Sequence, residues 1–351
     1  MKQRLATAAS RRRSVKHRWA DYDDERLLDL RFCDLRLSIK RTPVAAQIER
    51  LYGELAARGL RFKPHVWLAD EWFSPDGVPG FAVPFYLAHP RLASLERKMM
   101  QEVEGGNANW MLRILRHETG HAIDTAYRIR RRKDWREIFG KASRPYPRTY
   151  RPQPTSKKFV LHLGHWYAQT HPTEDFAETF AVWLQPHSRW RRTYAGWPAL
   201  AKLNYVDALM QEIKLEPPKV RSREIIEPLS ENTRTLRDYY NRELARYDVD
   251  TTRAYDRLLT RVFVARTLRP DADSATVLLR ALRAKLTRAL TRDARVHAYL
   301  VHNVMRIVIE RCRELDLGVR HSATRDREAV ARLVEHIVFD TLYRRRQRYA
   351  L

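Results

Sequence analysis

Residues 110–127 read WMLRILRHETGHAIDTAY, and this stretch decides the architecture of the chain around it. Its apolar residues recur at helical spacing, so we expect a single helix that an upstream asparagine caps. Two residues four positions apart lie on the same helix face, and His117 and His121 can therefore bind one metal ion through their imidazole nitrogens. Glu118 projects about 100° away from them, beside such an ion but poorly placed to bind it.

Glu118 has the position that a general base needs if it takes a proton from a water molecule on the metal ion. Chance alone produces the HExxH pattern roughly a few times in a hundred chains of this histidine content, so its context matters. Gly120 adds to that context, because a glycine between the histidines lets a neighbouring element approach closely. The pattern favours a catalytic metal site over a structural one, which would have four protein ligands and no need of a base.

Asp124 and Tyr127 exclude one class of such sites. The pattern HExxHxxGxxH requires glycine at position 124 and histidine at position 127, and the chain has neither residue there. Asp124, one turn past His121, either orients a metal ligand or pairs with an arginine, and the sequence leaves both interpretations open. The third protein ligand of a catalytic zinc ion must therefore come from further along the chain.

Residues 171–178, HPTEDFAE, begin a second helix with a proline in its first turn. Glu174 and Glu178 share one face of this helix, so one carboxylate can bind the metal ion while the other hydrogen-bonds a ligand histidine and fixes its tautomer. His171 is the rival third ligand. Asp175 points elsewhere, and its charge is favourable near the amino terminus of the helix.

Two segments together resemble a known family: HETGHAID at 117–124 and YAQTHPTEDFAETFAVWL at 167–184. They are similar to the gluzincin metallopeptidases, and among these to the bacterial zinc-binding metallopeptidases related to anthrax lethal factor, in which a tyrosine precedes the glutamate ligand by seven residues. The resemblance covers mainly residues 111–184. Members often carry an amino-terminal zinc ribbon, and this chain lacks the cysteines for one.

This resemblance implies a fold, a function and a set of site residues. The fold is α+β, a zincin-like catalytic domain with a small mixed sheet and an active-site helix. The function is that of a zinc-dependent endopeptidase acting on a protein or peptide substrate. The implied roles are His117, His121 and Glu174 as ligands of one Zn²⁺ ion, Glu118 as the general base, Tyr167 as the stabiliser of the oxyanion, and Glu178 as the support of a ligand histidine.

Two further segments lie near this site in the sequence without a defined role. Residues 80–89, GFAVPFYLAH, include Pro84 and so predict an edge strand, which either pairs with an extended substrate or is purely structural. His162 and His165 closely precede Tyr167, and polar lining of the site is a simpler interpretation of them than catalysis.

Proline-rich and charged stretches divide the chain into four predicted parts. Residues 1–42 form a basic amino-terminal arm and 43–214 form the zincin-like domain. The segment LEPPKVRS, at 215–222, reads as a linker. Residues 223–351 predict a basic, all-α carboxy-terminal domain.

The net charge of +25, with a pI near 10.4, is the least ordinary property of the composition. Such a balance attracts polyanions such as nucleic acid, although the interleaved acidic residues make a solvated surface the simpler interpretation. An alternative function follows, a basic nucleic-acid-associated protein with a structural or vestigial metal site. Glu118 and Tyr167 argue against it, because such a site needs neither a base nor an acid.

The remaining features of the sequence concern the expected cellular location of the protein. No run of 18 apolar residues exists, so we expect no membrane contact. The basic amino terminus has no apolar segment and does not predict a secretory signal. Cys33 and Cys312 are far apart in sequence, which argues against a disulfide scaffold, favours inert thiols and suits a reducing cytoplasm.

Overall fold

The computed structural model of the 351-residue chain describes residues 17–147, 153, 155–163, 166–246, 255–292, 296–320 and 323–344. Helices dominate these residues, and two short pairs of strands accompany them. The α-helices are α1 (Asp24–Leu28), α2 (Pro43–Ala57), α3 (Pro90–Met100), α4 (Ala108–Tyr127), α5 (Lys133–Phe139), α6 (Pro172–Leu184), α7 (Trp190–Thr193), α8 (Ala199–Ile213), α9 (Leu236–Arg246), α10 (Asp256–Val262), α11 (Ala275–Leu290), α12 (Ala298–Glu314) and α13 (Ala323–Arg344). The strands are β1 (His65–Ala69), β2 (Gly80–Pro84), β3 (Val264–Ala265) and β4 (Leu317–Gly318).

Helix α4 carries the HETGH sequence, as its periodicity predicts. Its first turn is capped by Asn107, whose side chain accepts a hydrogen bond from the backbone N–H of Trp110 (2.9 Å). It ends at Arg128, which adopts a left-handed backbone conformation. Nearly the whole helix after its first turn is buried, so packing around it, more than intrinsic propensity, stabilises it.

Helix α6 packs directly against α4. Pro172 occupies its first turn, and the side chain of His171 caps it by accepting a hydrogen bond from the N–H of Thr173. Every residue of α6 is buried. The two helices meet at Gly120, where an added Cβ would lie 2.7 Å from the Cα of Ala177. The prediction that Gly120 permits a close approach is therefore confirmed.

The small sheet lies beside α4. Strands β1 and β2 are parallel, with Trp67 opposite Ala82. Ala82 also forms an antiparallel bridge with Phe73, whose carbonyl accepts a hydrogen bond from Ala82 N (2.8 Å). In this two-stranded sheet β2 is an edge strand, as Pro84 predicts, but it is buried along its length. The segment between β1 and β2 folds back over it, and periodicity cannot reveal such a return.

The α+β class is confirmed, although helices outweigh strands. Helix α3 ends at Met100, because Gln101 turns into the left-handed region. One detail differs from the sequence prediction. The carboxy-terminal region is not purely α-helical, since β3 and β4 form an antiparallel pair of two residues each. A strand of two residues is too short to show an alternating pattern.

Two large clusters of buried hydrophobic residues organise the described chain. The first extends from Trp19 to Tyr240, and the second from Leu259 to Val338. We call the described residues within 17–246 the site lobe and those within 255–344 the helical lobe. The predicted linker, 215–222, falls within the site lobe. Its Lys219 N and Val220 N both donate to the Ala126 carbonyl (2.9 Å each). The domain boundaries at 214 and 223 stay a prediction, while the two cores divide after residue 246.

Two sequence expectations concern membranes and thiols. Among the described residues, no helix is long and apolar enough to cross a bilayer. Cys33 and Cys312 are both free thiols. Cys312 is buried in the helical lobe, and burial raises its pKa to about 12, which fits the prediction of an inert thiol.

Candidate metal centre

Three side chains from α4 and α6 converge on one point. The two histidine Nε2 atoms, of His117 and His121, are 3.1 Å apart. Glu174 Oε2 lies 3.1 Å from His121 Nε2 and 3.2 Å from His117 Nε2. Ligand bonds of 2.0–2.2 Å in a tetrahedral zinc site separate the ligand atoms by about 3.3 Å. The three atoms thus form a nearly equilateral triangle of the size that one tetrahedral zinc ion requires.

Glu178 fixes the orientation of one histidine. Its Oε1 lies 2.8 Å from His117 Nδ1, and its Oε2 accepts a hydrogen bond from the backbone N–H of Leu163 (2.9 Å). A carboxylate at Nδ1 accepts a hydrogen bond from Nδ1–H and so keeps the proton on that nitrogen, which leaves the lone pair of Nε2 directed at the three-atom cluster. Glu178 thus has the contact expected of a residue that supports a ligand histidine.

The electrostatics of the cluster favour a cation. Burial lowers the pKa of His117, but its hydrogen bonds with Glu174 and Glu178 outweigh burial and raise the pKa to about 10. Burial acts in the opposite direction on Glu174, yet the two histidines hold its pKa well below the usual value. Two buried carboxylates therefore require positive charge beside them, and a divalent cation between neutral imidazoles supplies it.

Glu118 lies next to the cluster without joining it. It is 1% exposed, and its Oε1 has no hydrogen-bond partner among the described residues. Burial raises the pKa of Glu118, and the histidines partly offset that effect. Ser74, on the segment between β1 and β2, lies close to it. A buried carboxylate with a raised pKa and an oxygen that no described residue binds is suited to accept a proton.

Tyr167 lies beside His117. It begins a short 3₁₀ turn, 167–169, and its ring centroid is 5.6 Å from that of His117. Its hydroxyl has no hydrogen-bond partner within the described part of the chain. Burial and the charge of Glu174 raise the pKa of Tyr167 well above its usual value. The phenol therefore keeps its proton and can donate it in a hydrogen bond.

The contacts of Asp124 are those of pairing with an arginine, one of the two interpretations that the sequence left open. Its Oδ1 accepts from Arg130 N (2.7 Å) and its Oδ2 accepts from Arg130 Nε (2.6 Å). Arg130 Nη1 also donates to Asp76, on the segment that carries Ser74 (2.8 Å). The other role that the sequence left open, orienting a ligand histidine, stays a prediction. A nearby arginine satisfies its carboxylate, and the pair fastens the 70–79 segment to the end of α4.

The other histidines near the site have structural contacts. His171 caps α6 and its Nε2 donates to the Arg144 carbonyl (2.6 Å), so it lies outside the three-atom cluster. His162 Nε2 donates to the Arg113 carbonyl (2.9 Å), and burial lowers its pKa to about 4, which keeps it neutral. His165 lies outside the described residues. Asp175, whose predicted role was charge at the helix terminus, pairs with Lys202.

Tyr146 is a residue of the site that sequence reasoning missed. Its hydroxyl donates to Glu174 Oε1 (2.6 Å), and its ring stacks on His171 with centroids 3.9 Å apart. It lies in the basic, proline-rich stretch after α5, where no periodicity exists to place a side chain. The only local signal is an aromatic residue between Pro145 and Pro147, which is too weak to assign a contact.

Part of the chain matches a protein-family model. Residues 93–196 match the model of a family described as "Putative zinc-binding metallo-peptidase". The matched range contains α4, α6, all three residues of the cluster and Glu118. No curated protein and no solved structure matches the chain. This range of the chain is thus similar to zinc-binding peptidases, and the remaining residues lie outside the match.

Proposed function

We propose that the protein is a zinc-dependent endopeptidase of the gluzincin type, with a zincin-like site lobe. The observation that carries the proposal is the triangle formed by His117, His121 and Glu174, with the uncommitted carboxylate of Glu118 beside it. A structural zinc site would have a fourth protein ligand, and the described residues offer none in the cluster. The family match over residues 93–196 supports the same class.

Glu118, Tyr167 and Glu178 have separate roles in peptide hydrolysis. Bound zinc supplies a Lewis acid that lowers the pKa of water and polarises a peptide carbonyl. Glu118 takes the proton from the attacking water molecule and passes it to the departing amine. The protonated hydroxyl of Tyr167 donates a hydrogen bond to the carbonyl oxygen as negative charge develops there. Glu178 keeps His117 oriented while this happens.

Glu118→Gln is the direct test of this mechanism. Glutamine preserves shape but cannot accept the proton, so cleavage of a proteome-derived peptide library should fall by about 10²–10⁴-fold. Zinc content, measured by atomic emission, should equal that of the wild type. Glu212→Gln is the matched control, because Glu212 is half-exposed in an ion pair with Arg132 away from the cluster. Equal cleavage by Glu118→Gln and wild type would refute the mechanism, and a wild type without zinc would refute the site.

A polyanion contact is a second, separate proposal, favoured by one face of α11. Arg280, Lys285 and Arg288 are exposed on the side opposite the buried leucines, and no ion pair is seen for them among the described residues. Unpaired cations along one helix face suit the phosphates of nucleic acid. Their triple change to glutamine should weaken binding to a DNA duplex and reduce its dependence on salt. The control triple Arg313, Arg327 and Arg332 to glutamine removes equal charge elsewhere, and equal loss in both would rule out a localised site.

A further inference from the structure

The carboxylate of Glu174 uses its two oxygens for different partners. Oε2 faces the two histidine nitrogens, as described above. Oε1 accepts a hydrogen bond from Tyr146, a residue 28 positions earlier in the chain (2.6 Å). The carboxyl group of Glu174 is 5% exposed, so the hydrogen bond ends on a desolvated carboxylate, where a charge-assisted bond is strong, although Tyr146 as a whole is 56% exposed.

Tyr146 is itself held in place from two directions. Its hydroxyl oxygen lies 2.7 Å from Thr173 Oγ1, and its ring is nearly parallel to that of His171, at 14°. His171 donates from Nε2 to the Arg144 carbonyl, so its Nδ1 accepts the proton of the Thr173 hydroxyl (2.6 Å). A chain of contacts therefore fixes the phenol on the first turn of α6, beside the carboxylate.

We propose that Tyr146 is a positioning residue that makes Glu174 a one-oxygen ligand. By occupying Oε1, the phenol prevents the carboxylate from rotating to offer both oxygens to the metal ion. The coordination position that a second oxygen would fill then stays available for water or substrate, as a catalytic zinc site requires. The inference rests on the proposed function only in taking zinc as the ion of this cluster.

The two tyrosines of the site thus have different tasks. Tyr146 has its hydroxyl committed to Glu174, so it is not available to stabilise a substrate oxyanion. Tyr167 has no committed partner among the described residues and keeps that task. Removal of either hydroxyl should therefore give a different signature, in metal binding for Tyr146 and in turnover for Tyr167.

Zinc affinity of Tyr146→Phe, measured by competition with a chelator, tests the inference. Loss of a residue that orients a metal ligand weakens metal binding by about 10–100-fold, and we expect a loss in this range. The matched control is Tyr52→Phe, which removes a phenol hydrogen bond to the Pro64 carbonyl in the same lobe but away from the cluster. It should bind zinc as the wild type does. Thermal unfolding of the metal-free proteins shows whether each variant is folded.

The visible absorption of the cobalt-substituted protein gives a second readout. Four-coordinate Co²⁺ absorbs more strongly than five-coordinate Co²⁺, so a carboxylate freed to bind with both oxygens should lower the absorption of Tyr146→Phe. Thr173→Val, which removes the hydroxyl that holds Tyr146, should shift affinity and spectrum in the same direction by less. Wild-type affinity together with a wild-type spectrum in Tyr146→Phe would overturn the inference.

These outcomes separate the inference from the proposed function. A wild type that binds zinc but cleaves no peptide refutes the endopeptidase and leaves the role of Tyr146 to be decided by affinity and spectrum. A wild type that cleaves peptides, with Tyr146→Phe unchanged in both readouts, refutes only the role of Tyr146.

Discussion

Two helix pairs of this protein bury different kinds of side chain. The pair α4–α6 in the site lobe buries charged side chains, each held by a partner, around a contact between Gly120 and Ala177. The pair α11–α12 in the helical lobe buries mainly apolar side chains and leaves its charges in solvent. This difference indicates which helix pair can carry a functional site. Desolvated charges with perturbed pKa values cost stability, and they are the groups that bind metals and move protons.

The site lobe offsets that cost with partners supplied by neighbouring elements. Arg116, next to the first ligand histidine, is buried and forms two hydrogen bonds with Glu54 of α2 (2.7 Å each). The helical lobe has no need of such pairs along its core stripe of Leu279, Leu282 and Leu286. Substitutions that remove one partner should therefore have unequal effects in the two lobes.

Glu54→Ala should have the largest effect. It leaves Arg116 buried without its carboxylate, which costs about 3–5 kcal/mol of unfolding free energy. Denaturant unfolding of the site lobe, followed by tryptophan fluorescence, measures this loss. The double variant Glu54→Leu/Arg116→Met removes both charges and should regain most of the stability. A double variant as unstable as Glu54→Ala would show that the charges do more than compensate each other.

The counterpart in the helical lobe is Leu279→Ala. It should cost about 2–5 kcal/mol by leaving a cavity, and no second substitution of a charged residue should restore the loss. Its zinc affinity should equal that of the wild type, because the metal cluster lies in the other lobe. Loss of zinc affinity in this variant would mean that the two cores are coupled.

Gly120→Ala should have the next largest effect. The new methyl group would meet the Ala177 backbone at 2.7 Å, so α4 and α6 must separate. Overpacking of this kind costs about 1–3 kcal/mol, and zinc affinity should fall because the ligands lie on both helices. The control is Gly53→Ala in α2, where nothing lies within 4 Å. There the change should stabilise the protein by about 0.5–1 kcal/mol, and a similar gain at Gly120 would contradict the close contact.

Glu96→Gln should have the smallest effect at pH 5, and the effect should grow as the pH rises. Burial, with a smaller contribution from Glu243 and Glu104, raises the pKa of Glu96 from 4.5 to about 8, although the nearby hydroxyl of Tyr240 opposes the shift. The folded protein therefore retains a proton that the unfolded chain releases, and stability falls as pH rises between these two values. The slope from this group is at most about 1.4 kcal/mol per pH unit.

Unfolding free energies at pH 5, 7 and 9 measure this dependence. Glutamine cannot lose the proton, so the stability of Glu96→Gln should exceed that of the wild type increasingly toward pH 8. Glu49→Gln, at an exposed position of α2, should follow the wild type at each pH. Parallel curves for wild type and Glu96→Gln would contradict the raised pKa.

The sequence by itself determined the parts of the site that lie within one helix. The spacing of His117 and His121, and the rotation of Glu118 away from them, follow from the geometry of an α-helix and needed no tertiary contact. The cap at Asn107 and the proline at position 172 in the first turn of α6 are likewise local, since both depend only on the backbone of their own helix. These predictions agree with the structure because short-range interactions fix them.

Only the tertiary structure decided which groups from distant segments meet. Whether His171 or Glu174 joins the two histidines of α4 depended on which side of α6 faces α4. The contact of Gly120 with Ala177 sets that orientation. Asp124 met an arginine rather than a histidine because the turn after α4 brings Arg130 back to it. Tyr146 reached Glu174 from a segment without periodicity. Helical spacing specifies directions around one axis, whereas contacts between axes depend on the packing of the whole core.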